Sequence, residues 1–229
     1  MDYRDLRNYG VPMNRSLGEA ASRLDIRTRM KAGAIVLKRL GILNMLRLLL
    51  AVRRERARIA GIDLSPVRSK GLEDEYFISY YIQQTAVFSA MSRLVGKEGA
   101  LAVHEEVAEL VTPAIMSVAF PTIDQIRELD DPSDFFKEYI VSMLEADKGV
   151  GLHDFRVIED SEEAFAFDIT YCAFAAIPRQ LGFPEACIPN CYSDEVFFPD
   201  FLRPLGFRFV RTGTIACGND RCDFRFERI

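Results

Sequence analysis

Residues 153–181, HDFRVIEDSEEAFAFDITYCAFAAIPRQL, change periodicity from strand to helix. Apolar residues alternate from Phe155 to Glu159 and from Ala164 to Thr170, with a turn at Asp160-Ser161-Glu162 between them. That pattern predicts a β-hairpin with Phe165, Phe167 and Ile169 on one face. From Tyr171 to Leu181 the pattern is helical, bent at Pro178 and closed by Gly182. Cys172 therefore falls where a strand hands over to a helix.

Upstream of this stretch the chain reads as helix. Ser16 is a cap candidate, and a run from Ala34 to Ala60 stops at Gly61, with apolar residues on nearly every face between Ile35 and Val52. Ile62 to Gly71, with Ser65-Pro66, reads as a linker. Helices follow from Glu73 to Val95, ending at Gly96, and from Lys97 to about Val111; Thr112-Pro113 starts a further piece, and Ser133 opens one that ends before Gly149. Downstream lies a second hairpin: Gly206 to Ala216, a tight turn at Gly218-Asn219-Asp220, and Cys222 to Arg228 with Cys222, Phe224 and Phe226 on one face. The expected class is α+β, N-terminal helices followed by an antiparallel sheet of two hairpins with an intervening helix.

The composition is globular: 49% of the 229 residues are apolar, with 14 Gly and 10 Pro. The net charge of −5 conceals an asymmetry. Residues 1–70 hold 16 Lys+Arg against 6 Asp+Glu, net +10, which leaves residues 71–229 at −15. We therefore expect a basic helical extension over 1–70 and an α+β domain over 71–229, and no nucleic-acid partner for the whole chain. An apolar, cationic helix needs a covering surface. A homo-oligomer formed through the N-terminal helices is the first expectation, and peripheral contact with an anionic membrane the second. The opening decapeptide MDYRDLRNYG has no apolar run after its charges, and Leu40 to Val52 is too short to span a bilayer, so a cytoplasmic location is expected.

Five cysteines, 172, 187, 191, 217 and 222, crowd the last quarter of the chain. An odd number without an export signal argues for reduced thiols. A four-thiolate metal site from Cys187, Cys191, Cys217 and Cys222 is the weaker reading, because the spacing misses the tighter pairs of zinc sites and no His lies among them; no metal or cofactor is expected. Cys191 sits in the loop Ile188 to Asp194, with Asp194 at the start of a short helix. A thiol beside a carboxylate can attack an activated C=N or C=O carbon while the carboxylate handles protons; the alternative reading of Asp194 is a helix cap. Cys172, at a helix start, is the reserve nucleophile or a small core residue. Arg211 is a candidate carboxylate clamp, beside Arg203 and Arg208, for which strand-surface pairing is the plainer reading. His104, among Glu105, Glu106 and Glu109, reads as part of a solvated face, and His153 stands at the entrance to the first strand.

The order FDITYCAF (167–174), LGFPEAC (181–187), NCYSDEVFF (190–198) and GFRFVRTGTIACGNDRCDFRFE (206–227) resembles the L-2-amino-thiazoline-4-carboxylic acid hydrolase family. The matching positions are Cys172, Leu181-Gly182, Cys191 with Asp194, Arg211 with Thr214 and Gly218, and Cys222-Asp223-Phe224 with Phe226. The resemblance covers most of residues 71–229 and implies hydrolysis at the C=N carbon of a small cyclic amidine, yielding an N-carbamoyl amino acid. It implies a carbon-nitrogen hydrolase with Cys191, Asp194 and Cys172 as catalytic candidates and Arg211, Thr214 and Cys222 around the substrate. The ending GNDRCDFRF also resembles the 4-vinyl reductase small-molecule-binding domain, which implies ligand binding without chemistry.

Overall fold

A computed structural model describes residues 11–229. The decapeptide read above for an export signal lies outside the described residues. Helix α1 spans Met13–Arg23 and α2 Ile26–Ile59, where Asp25 caps by accepting from the Thr28 N–H at 2.9 Å. Ser16 is thus inside α1 rather than its cap, and the expected continuous helix is broken at Leu24-Asp25 and again at Gly41 (φ 75°, ψ 162°), a conformation that only glycine adopts without strain. A short helix α3, Ser65–Arg68, occupies the expected linker.

Helix α4 runs Glu75–Ala119, capped by Asp74, with the break at Gly96 where the sequence placed it. Pro113 lies inside α4 instead of opening a new helix. It removes one backbone hydrogen bond, but the preceding Thr112 hydroxyl donates to Ser193 Oγ at 3.0 Å and ties that turn to the neighbouring element. α5 (Ile123–Arg127) has a reciprocal capping box between Thr122 and Gln125, and α6 spans Pro132–Gly149.

The sheet consists of β1 (His153–Asp160), β2 (Ala164–Cys172), β3 (Phe207–Val210) and β4 (Cys222–Arg228), all antiparallel in the order β1-β2-β4-β3. Between the two hairpins come α7 (Ala173–Gln180), a 3-10 turn over Pro184–Cys187 and α8 (Ile188–Leu202). β3 is shorter than the alternation suggested. After Val210 the backbone leaves the sheet because Asp223 Oδ1 captures the Thr212 and Gly213 N–H groups at 3.0 and 2.7 Å, and a 3-10 turn capped by Thr214 fills 215–217.

The core lies where one face of the sheet meets α4, α6 and α8. Phe165, Phe167 and Ile169 occupy that face as expected; Phe226, fully buried, meets Phe136 and Phe198 at ring separations of 5.4 and 5.3 Å. On the other face Asp168 is buried under Arg156, Arg221 and Arg225. The basic α2 packs on α4 through Leu40 and Leu48 against Phe88, Met91 and Val103, and Arg39 pairs with Glu106 at 2.7 Å.

Candidate active site

A cavity of about 340 Å³ opens between α1, α4, α6, the sheet and α8. Its polar wall is assembled by strand register. His153, the first residue of β1, pairs with Cys172, the last of β2, so imidazole and thiol are brought side by side. Asp147, in the last turn of α6 and wholly buried, reaches His153 because Gly151 (φ 73°) reverses the chain between them. A side chain at 151 would place its Cβ 2.5 Å from the Leu72 nitrogen, so the turn is closed to any other residue.

The three side chains form a relay. His153 Nδ1 donates to Asp147 Oδ2 at 2.9 Å, leaving Nε2 to the hydrogen bond with Cys172. Asp147 Oδ1 accepts the Met13 N–H at 2.6 Å, so the first residue of α1 fixes the carboxylate, and the imidazole lies flat on Phe174 at 5.3 Å. Burial opposes a charge on His153. The field of Cys172 and the hydrogen bonds to Asp147 and Cys172 outweigh it and raise the imidazole from 6.5 to about 10. These partners favour the protonated ring over the neutral one.

A second cluster borders the same cavity. Cys191 lies in the first turns of α8, not in a loop: Pro189 stands at a first-turn position, where proline is compatible with a helix. Asp194, three residues on, shares its face and is not a cap; it pairs with Arg211 Nη1 at 2.6 Å. Arg211 also donates through Nη2 to the Cys191 carbonyl at 2.7 Å and to Glu195 at 2.8 Å, and its guanidinium lies over Phe209 and Phe224. The Cys187 thiol donates to the Cys191 sulfur, which lowers Cys191 and raises Cys187; Arg211 and Thr214 reinforce the lowering, while burial and Asp194 oppose it. Burial pushes the Asp194 carboxyl up to about 6 against the pull of Arg211.

Of the six residues singled out in the sequence, Cys172, Cys191, Asp194, Arg211 and Cys222 line the cavity. Thr214 stands behind it, hydrogen-bonded to Cys191. Cys222 accepts the Ile215 N–H at 3.2 Å, and burial pushes its thiol up to about 12. Cys187 is a fourth cavity thiol, whereas Cys217 is exposed; among the described residues no cluster of three or more His, Cys, Asp or Glu is arranged to hold a metal. Arg208 pairs with Glu227 at 2.6 Å on the sheet surface.

Both histidines border the cavity. His104 is not on a solvated face: it lines the cavity, packs edge-on against Phe88, and burial lowers its basicity. His153 lines it too, paired with Asp147, which the sequence reading did not single out; the sequence sign of the pair is a His six residues beyond an Asp across Gly149-Val150-Gly151, a spacing that a glycine turn closes. Met13 and Asn14 of α1 also border the cavity, so the N-terminal segment supplies part of the site.

Comparison with known proteins gives one match of note. Residues 77–226 match the sequence model of the family described as L-2-amino-thiazoline-4-carboxylic acid hydrolase. No curated protein and no solved structure matches the chain.

Proposed function

The chain belongs to the L-2-amino-thiazoline-4-carboxylic acid hydrolase family, and from that premise we propose that it adds water to the C=N carbon of a small, carboxylate-bearing cyclic amidine of the thiazoline type. The observation that carries the reading is the Cys172-His153-Asp147 relay on the wall of an otherwise largely apolar cavity. A nucleophile, a proton carrier and a group that orients the carrier are what such an addition requires.

Cys172 takes the nucleophile's part rather than Cys191, because His153 stands beside it to carry a proton. Its sulfur adds to the amidine carbon while His153 Nε2 protonates the ring nitrogen. The tetrahedral carbon then expels the ring sulfur, which takes the proton of the Asp194 carboxyl and leaves as the product's thiol, and an isothiourea on Cys172 remains. Water adds to that carbon, Cys172 departs, and its proton returns to the Cys172-His153 pair; the product is an N-carbamoyl amino acid and one water has been consumed. Asp194, near half-protonated at pH 6, is suited to take a proton from that water. Three of the five Arg211 N–H groups hold Asp194, Glu195 and the Cys191 carbonyl, leaving two for the substrate carboxylate.

Hydrolysis is favoured over pure binding because thiols, carboxylates and an arginine converge on one cleft. The test is turnover of 2-amino-thiazoline-4-carboxylate and related cyclic amidines, read by mass for the gain of one water. The expected result is conversion by the native chain, none by Cys172→Ala and residual conversion by Cys191→Ala. Full turnover by Cys172→Ala removes the nucleophile assignment, and binding without conversion by the native protein points to the binding module.

A further inference from the structure

We propose that the outer face of α2 docks on an anionic membrane surface. Beyond the break at Gly41, Ile42, Leu43, Leu46, Leu49 and Leu50 are 58–73% exposed, although Leu48 and Ile59 of the same segment are buried against the body of the protein. At 100° per residue the five exposed aliphatics fall on the side opposite Leu48, Glu55 and Ile59. They make one stripe facing away from α4, where a soluble monomer would carry polar residues.

The charges around that stripe say what covers it. α2 holds ten Lys and Arg and a single acid, Glu55. Glu55 points inward, where it accepts from Ser89 at 2.9 Å and pairs with Arg58 and Arg93. Arg53, Arg54 and Arg56 are exposed and, among the described residues, have no acidic partner. An aliphatic stripe bordered by cations is the pattern of a helix lying in the plane of a membrane, with its leucines among the acyl chains and its arginines at anionic headgroups. No helix of the described residues is long and apolar enough to cross a membrane. The helix would therefore lie on the surface rather than span it.

The same charges disfavour a second copy of the chain. A coiled-coil seam through Leu43, Leu46 and Leu50 continues at Arg53, and it would face two helices that each carry nine net positive charges. Nucleic acid matches the charge but not the leucines, which it has no apolar surface to bury.

The experiment is cosedimentation of the full-length protein with vesicles of phosphatidylcholine alone or with 30% phosphatidylserine added. Binding is expected to the anionic vesicles and not to the neutral ones, with release at high salt. Leu46→Glu/Leu50→Glu should abolish binding, and Arg53→Gln/Arg54→Gln/Arg56→Gln should weaken it by about fivefold per cation removed. Both variants alter exposed residues outside the cavity, so turnover in solution should be unchanged and serves as the folding control. No uptake by anionic vesicles overturns the proposal. So does a dimer that Leu46→Glu/Leu50→Glu dissolves without any vesicle binding, which assigns the face to a second copy, and so does retention on DNA with none on vesicles.

Discussion

Asp147→Asn isolates the relay, because it removes one negative charge and leaves the shape of the side chain. In the native protein Asp147 is wholly buried, accepts from both His153 and the Met13 N–H, and helps raise His153 from 6.5 to about 10. A hydrogen bond to a charged group contributes about 1.5–3 kcal/mol. At about 1.4 kcal/mol per pH unit, losing it lowers the His153 midpoint by roughly one to two units. The assay is a histidine proton NMR titration, which is simple because the chain has only two histidines and they shift in opposite senses. His153 should titrate near 10 in the native chain and at about 8 to 9 in Asp147→Asn, with His104 below 6.5 in both. Cys172→Ala should lower it further, since the Cys172 field is the larger upward contribution.

The same shift fixes the pH dependence of stability. The folded state holds the His153 proton more tightly than the unfolded chain. Its contribution is therefore complete below pH 6.5 and disappears as pH rises through about 10. At pH 7 Asp147→Asn should lose about 2 kcal/mol, some 4–8 °C in Tm for a chain of this length, and the two proteins should converge above pH 10. A native His153 midpoint at or below 6.5, or a midpoint that Asp147→Asn leaves in place, refutes the relay.

Arg211→Ala should destabilise by about 1.5–3 kcal/mol, because it removes the guanidinium that holds half-buried Asp194 and the Cys191 carbonyl; a chemical denaturation curve shifted by less than about 1 kcal/mol contradicts the network. Gly151→Ala should lower thermal stability and turnover together, since a Cβ there meets the Leu72 and Gly71 backbone within 2.6 Å and displaces the turn joining Asp147 to His153. Phe226→Ala, at the centre of the aromatic core, should cost about 3–5 kcal/mol, read as a fall in Tm. A thiol reagent in substoichiometric amount should label the exposed Cys217 first without affecting turnover; prior loss of activity on labelling at that residue would place it in the site.

Much of the architecture was legible because it is written in local pattern. Alternation marked both hairpins, a 3.6-residue period marked the helices, and Gly96 marked the interruption of α4. The errors have physical causes. By sequence Pro113 starts a new helix and Pro189 lies in a loop, but Pro189 sits in the first turn of α8, where its missing N–H is harmless, and Pro113 inside a helix tied to its neighbour by the Thr112 hydroxyl. The run from Ala34 to Ala60 reads as one helix because nothing local marks Gly41 as a break (φ 75°). β3 was overextended because alternation does not disclose that the Asp223 carboxylate draws the chain away after Val210.

The candidate site divides along the same line. Cys172 at a strand-to-helix junction, and Cys191 with Asp194 three residues on, are local features, and sequence alone picked them out. Asp147 and His153 each looked ordinary. They became a site only when the register of β1 on β2 set His153 across from Cys172, the Gly151 turn brought Asp147 to the imidazole, and Met13 closed over the carboxylate from more than a hundred residues away. Arg211 likewise depended on leaving β3 to reach α8. Periodicity and capping are determined by neighbours along the chain and can be read from it. Charge state and reactivity depend on which groups burial forces together across the fold, and here that was decided by register, one positive-φ glycine and the packing of α1.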